Sequence, residues 1–256
     1  MTITTTRHGA VVVIAFDRPA AKNAFTFAMR SQFCDAFAAL EDDRTVRAVI
    51  LTGAGSDFCT GADVGEMGET PPETFVDRMR VLHRMTRAVA HCRVPVIAAV
   101  DGYCIGAAWG LAMAADLVLA SNRARFAATF RRIGYAPDAG LVWQFIRTIN
   151  PMRAREIVYS GRIVDADEAG RLGLVMEILP PDQLFDRTLG LATDIANGPA
   201  TALQLARRQF AAAAGMTLDA FLDVEATMQP LLGQTRDHRE AVSAFRDKRS
   251  PDFTAD

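Results

Sequence analysis

Ala48-Val49-Ile50-Leu51-Thr52-Gly53-Ala54-Gly55 leads, two residues later, into Phe58-Cys59-Thr60-Gly61-Ala62-Asp63, and this order sets the reading of the whole chain. A β-branched apolar run that stops at a Gly-Ala-Gly turn is a buried strand. The small residues after it let a ligand approach the backbone and leave N–H groups pointing out of the turn. The same design returns at Val96 to Val100, a strand followed by Asp101-Gly102-Tyr103-Cys104-Ile105-Gly106-Ala107-Ala108, a turn that runs into a helix. The first N–H groups of a helix are unpaired, and its dipole favours negative charge. Two convergent donors of this kind suit an oxyanion, a use that requires no particular side chain. Glycines that only satisfy turn geometry produce the same pattern, so the residues alone leave both readings open.

Working outward, Val11 to Phe16 and Leu117 to Ala120 are further short strands. Phe33, Phe37 and Leu40 recur at helical spacing, and Pro72 to Cys92 reads as a helix with Phe75, Met79 and Leu82 on one side. Strands that alternate with helices predict an α/β protein with parallel layering. Leu184, Thr188, Leu191 and Ile195 line one more helical face before Asn197-Gly198-Pro199 breaks the pattern. After the break only helical patterns follow, over Thr201–Ala214, Leu218–Gln229 and Thr235–Arg246. The chain divides accordingly into an α/β region, 1–197, and a helical region, 198–256.

Composition narrows the functional classes. The 256 residues are 50% hydrophobic and 23% charged, enough to bury a sizeable core. Their 28 basic and 30 acidic residues give a net charge of -2, without the basic excess of a nucleic-acid binder. The longest apolar stretch, Val94 to Val100, contains Pro95 and is too short to span a bilayer, so no membrane partner is expected. Met1-Thr2-Ile3-Thr4 lacks the basic and apolar regions of a secretory signal. Cys34, Cys59, Cys92 and Cys104 have no CxxC spacing and fit a reducing cytoplasm as small buried hydrophobes. No metal site is expected. GxGxxG is incomplete at Phe58, and GxxxxGK[ST], GxSxG and HExxH are absent.

Ordered motifs then accumulate. Asp17-Arg18-Pro19 with Lys22-Asn23-Ala24, the two turns quoted above, Leu111-Ala112 with Asp116, and Phe245-Arg246-Asp247-Lys248-Arg249-Ser250-Pro251-Asp252-Phe253 together resemble the enoyl-CoA hydratase/isomerase (crotonase) family, nearly end to end. The resemblance implies a crotonase-like spiral of ββα units with a C-terminal helical trimerisation region, assembled as a homotrimer or homohexamer. It implies an acyl-CoA thioester as substrate, with coenzyme A part of that substrate and no separate cofactor. The thioester oxygen would sit between the backbone N–H groups of Ala62 and Ala107. Lys22, Ala24, Asp63 and Lys248 would contact CoA, Lys248 from a neighbouring subunit. Each lysine is also readable as a solvated surface charge, for Lys248 nearly as well as a CoA contact. Asp101 and Ala107 stand where the family usually has Asn and Gly.

The reaction is less constrained, because this family hosts many chemistries on one site plan. By motif alignment the two hydratase glutamates correspond to Gly110 and Phe130, which cannot accept a proton. Asp138, in Gly134-Tyr135-Ala136-Pro137-Asp138-Ala139-Gly140, falls where isomerases of the family carry an acid/base aspartate and where its dehalogenases carry a nucleophile. On residues alone, Asp138 also reads as the N-cap of the helix from Leu141 to Ile149. Trp109, Phe130 and Trp143 are expected to form an apolar acyl pocket that raises its pKa. Arg125 to Gly140 and Ala241 to Phe245 look most like the phenylacetate-pathway ring-epoxide isomerases. The expectation is an acyl-CoA isomerase that shifts a double bond through an enolate, with Asp138 as acid/base. The alternatives are a hydratase, a hydrolase or dehalogenase using Asp138, and a non-catalytic acyl-CoA- or RNA-binding member.

Overall fold

The computed structural model describes residues 2–253. Strands β1 (Ile3–His8) and β2 (Val11–Phe16) form an antiparallel hairpin whose turn uses Gly9 at φ +61°. From β2 the sheet continues in parallel through β3 (Ala48–Gly53) and β4 (Val96–Val100). A second sheet holds β5 (Tyr103–Ile105) at one edge; β6 (Leu117–Ser121) then returns to the first sheet, beside β4. The second sheet is completed by β7 (Arg125–Ala127) and β8 (Ile163–Asp165), and the first by β9 (Glu177–Leu179) beside β6.

Side-chain alternation explains why these runs are so apolar: both faces of the parallel sheet are covered. Val12, Ile14 and Phe16 of β2 face one core, which includes helices α1 (Phe27–Ala38), α2 (Pro72–Ala90) and α3 (Ala107–Met113). Val11 and Val13 face the other, with Ile50, Ile97 and Leu119. Between the two lies the order expected of ββα units, for β1 and β2 precede α1, and β4 and β5 precede α3. Helices α4 (Leu141–Thr148), α5 (Pro151–Ser160) and α6 (Ala166–Arg171) lie between β7 and β9 in the chain. Helix α7 (Pro181–Ala196) closes the second core with Leu184, Ala192 and Ala196.

All four strands read from the sequence are present. The turn expected after Val100 instead contains β5, because Tyr103, Cys104 and Ile105 pair in parallel with Arg125, Phe126 and Ala127 of β7, with an isolated bridge from Cys104 to Cys59 on the other side. The chain then becomes helical through α8 (Ala200–Ala213), α9 (Leu218–Leu232) and α10 (Arg236–Asp247). Helices α8 and α9 bury no residue in the single chain, and Phe210 and Phe245 are 84% and 87% exposed. Met1 and residues 254–256, at the ends of the two regions read from the sequence, lie outside the described residues.

Candidate active site

The loops after β3 and β4 are stitched together before they present anything to a ligand. Cys59 N–H donates to the Tyr103 carbonyl at 2.9 Å, and Ile105 N–H donates to the Cys59 carbonyl at 3.0 Å. Fully buried Asn23 anchors the first loop from the other side. Its amide donates to the Ala54 and Asp57 carbonyls at 2.8 and 2.6 Å, and its oxygen accepts from Arg18 N–H at 2.8 Å. Asn23 has φ +59°, a conformation that Asn adopts more readily than most residues. Asp101 is similarly held: its carboxylate accepts from Ser121 and Arg123 at 2.6 and 2.7 Å.

This stitching brings Ala62 and Ala107 to one cavity of about 480 Å³. A Cβ added at Gly61 would lie 3.6 Å from the Ala107 nitrogen and 2.8 Å from the Ile105 carbonyl, so glycine is what allows the two turns to approach. Ala62 lies between Gly61, whose carbonyl accepts from Phe25 N–H, and Asp63, whose N–H donates to the Phe25 carbonyl. Its own N–H, and that of Ala107 at the first position of α3, have no hydrogen-bond acceptor among the described residues. Two free donors on one cavity are what an oxyanion requires.

Asp138 lines the same cavity and is its only carboxyl among the described residues. It is not an N-cap: α4 is capped at Gly140, with no side-chain hydrogen bond. The Asp138 carbonyl, not its carboxylate, accepts from Leu141 N–H. Its Oδ1 is buried without a partner, and burial pushes the carboxyl up to about 6, against an opposing pull from the Arg30 charge. The next residue, Ala139, has φ +50°, left-handed backbone that is unfavourable for alanine. A Cβ at Gly110 would meet the Ala139 Cβ and carbonyl oxygen at 2.7 Å each. The Asp138–Ala139 turn therefore occupies the space beside Gly110.

Of the three residues expected in an acyl pocket, only Phe130 lines the cavity. Trp109 is fully buried against Phe126 and Phe145, in the core behind α3. Trp143 is 50% exposed on the outer side of α4, under the Arg147 guanidinium. The remaining apolar lining includes Phe75, Met79, Leu82 and Tyr135, with Phe75 and Tyr135 packed edge to face at 5.8 Å. Among the CoA candidates, Lys22 is exposed with its ammonium 4.1 Å from the centre of the Tyr103 ring. Ala24 lies in the loop beside it, its carbonyl accepting from Arg18. The Asp63 carboxylate is engaged by Arg18 and by Gly65 N–H, and the Arg18 hydrogen bond holds it below the usual carboxylate range. Lys248, exposed at the end of α10, does not reach the cavity of its own chain. Among the described residues no cluster of three or more His, Cys, Asp or Glu side chains could hold a metal. Sequence reading missed Arg30 and Arg78, which line the cavity from α1 and α2. Their only signal was a basic residue on an otherwise apolar helical face.

A two-sided parallel sheet with backbone donors over a largely apolar cavity is an arrangement shared with known proteins. The structure of an enoyl-CoA hydratase from Bacillus anthracis superposes with a TM-score of 0.96 at 28% identity, covering 100% of each chain. A 1,2-epoxyphenylacetyl-CoA isomerase from Escherichia coli is 34% identical over 95% of each chain. A 2,3-dehydroadipyl-CoA hydratase from the same organism is 33% identical over 96% of each. The sequence pattern of the enoyl-CoA hydratase/isomerase family matches residues 6–256. The chain belongs to that family of enzymes, which act on acyl-CoA thioesters.

Proposed function

We propose that this enzyme is an acyl-CoA isomerase in which Asp138 carries a proton between two carbons of the acyl chain. The observation that carries the reading is the setting of Asp138: the one carboxyl on the cavity among the described residues, its Oδ1 buried without a partner and its pKa raised to about 6. A base in that range accepts a carbon-bound proton and can return it. With a 3-enoyl thioester, the Asp138 carboxylate removes a proton from C2. The pair from the broken C2–H bond forms C1=C2 and pushes the carbonyl pair onto the thioester oxygen, giving a dienolate whose charge the Ala62 and Ala107 N–H groups receive. As that charge returns to the carbonyl, the C1=C2 pair moves to C2–C3 and the C3=C4 pair takes up a proton at C4. The protonated Asp138 then returns the proton to C4, and the double bond ends between C2 and C3. Each such donor contributes about 3–4 kcal/mol in well-studied oxyanion holes.

Hydration needs a second proton-handling group, and neither Gly110 nor Phe130 supplies one. The isomerase reading is further supported by the similarity to the ring-epoxide isomerase. The hydratase names among the relatives favour the competing reading. Lys22 and Ala24 would contact the CoA portion, and the helical region 198–256 would form trimers or hexamers in which Lys248 approaches a neighbour's CoA. Asp138→Asn keeps shape and hydrogen bonding but cannot accept a proton. Turnover of a 3-enoyl-CoA by this variant should fall by about 10²–10⁴-fold with acyl-CoA affinity retained. Undiminished turnover, or a product that has gained water, rules the reading out.

A further inference from the structure

We infer that Arg30 and Arg78 form an anion subsite in the cavity, which selects an acyl group carrying a carboxylate beyond the thioester. The inference rests on the cavity being the acyl site. Arg30 is only 6% exposed yet lines the cavity, and its Nε is buried without a hydrogen-bond partner. Among the described residues its side chain makes one hydrogen bond, from Nη1 to the Arg78 carbonyl at 3.4 Å. Arg78 lines the same cavity and donates from Nη1 to the Thr70 hydroxyl at 2.7 Å. Both guanidinium groups lie over one ring, that of Phe27, at 4.5 and 4.2 Å from its centre. Neither makes an ion pair within 4.0 Å among the described residues.

Two cations against one aromatic ring repel each other, and a buried guanidinium with an unused donor is unfavourable unless something accepts from it. The carboxylates nearest in charge do not fill that role. Glu66 uses Oε2 on the Phe27 N–H at 2.6 Å, and Asp138, although its charge acts on Arg30, forms no ion pair with it and keeps its own Oδ1 unpartnered. A planar carboxylate on the ligand matches the guanidinium fork and neutralises the pair. The acyl chain is the part of the ligand that reaches this wall, because the thioester is held at Ala62 and Ala107.

The test uses the full-length protein and ω-carboxyalkyl thioethers of CoA, each compared by calorimetry with its own methyl ester over a short series of chain lengths. At the best length, the wild type should bind the carboxylate about tenfold or more tightly than the ester. Arg78→Met and Arg30→Met should each erase that preference while leaving ester affinity within about threefold. Should Arg30→Met fail to fold, the wild-type comparison and Arg78→Met decide the matter. Equal or tighter binding of the ester to the wild type at every length overturns the subsite alone. Failure of both ligands to bind overturns the acyl-CoA reading of the cavity together with it.

Discussion

Burial pushes the Asp138 carboxyl up to about 6, and that shift acts on stability and catalysis together. The folded chain holds the Asp138 proton more tightly than the unfolded chain, whose aspartate titrates near 3.9. Below about pH 4 both states are protonated and the group costs nothing. As pH rises through about 4 to 6 the unfolded state ionises first, so stability falls, by about 3 kcal/mol once the pH exceeds 6. Asp138→Asn escapes this loss. Its melting temperature should match the wild type near pH 4 and exceed it near pH 8, while wild-type kcat/KM rises through about pH 6 as the base ionises. A constant difference in melting temperature between those pH values would contradict the shift. Ala62 offers a second residue-scale test, because its function rests on backbone alone. Ala62→Gly should keep most activity. Ala62→Pro removes the donor without touching the Gly61 and Asp63 bonds to Phe25, and should lower kcat by about 10²–10³-fold. Asp138 itself was visible in the sequence as two things at once, a cap and a base. Only the placement of the cap at Gly140 separates them.

At the scale of elements, helix α3 and the turn before α4 compete for one volume. Gly110 lies where Ala139 presses to within 2.7 Å of any Cβ, and Ala139 is itself held at positive φ. A larger residue at 110 must displace the turn that aims Asp138. Gly110→Ala should therefore cost about 1–3 kcal/mol in urea denaturation and lower turnover together. A variant of wild-type stability and activity would show that the turn yields freely. The same contact means that a Gly110→Glu carboxyl would arrive only by displacing the turn that carries Asp138. Elsewhere the elements followed their patterns. β2, β3 and β4 were legible because parallel strands buried on both faces are continuous apolar runs. β1 was not, since Thr4, Thr5, Thr6 and Arg7 belong to an edge strand whose side chains are largely exposed. β5 and β7 to β9 are three residues each, too short for periodicity to register.

For the whole molecule, the C-terminal helical region, 198–256, is the part that buries least within a single chain. Helices α8 and α9 bury nothing of their own, while Phe210, Leu218 and Phe245 stand 84%, 71% and 87% exposed. Apolar surface of that kind is covered by association. Light scattering at micromolar concentration should give the mass of a trimer or a dimer of trimers, and Phe210→Asp should shift it toward the monomer. A monomeric wild type would refute the oligomeric reading. None of the helices among the described residues is long and apolar enough to cross a membrane.

Strand runs and turn glycines were sufficient to determine the α/β class, because alternation and permitted φ are local chemistry. The family, and with it the expected positions Ala62 and Ala107, was legible only from ordered motifs that resemble the crotonases, since turn glycines alone left the oxyanion reading open. Tertiary structure decided which side chains share the cavity. Trp109 and Trp143 carry the same ring, yet Trp109 of α3 is sealed in the core against Phe145 of α4, while Trp143 of α4 is half exposed beneath Arg147. Arg30 and Arg78 are 48 residues apart and became neighbours only through the packing of α1 on α2 around Phe27. The raised pKa of Asp138 has the same origin. Desolvation is a property of everything that surrounds a carboxyl, and those surroundings come from several distant segments of the chain.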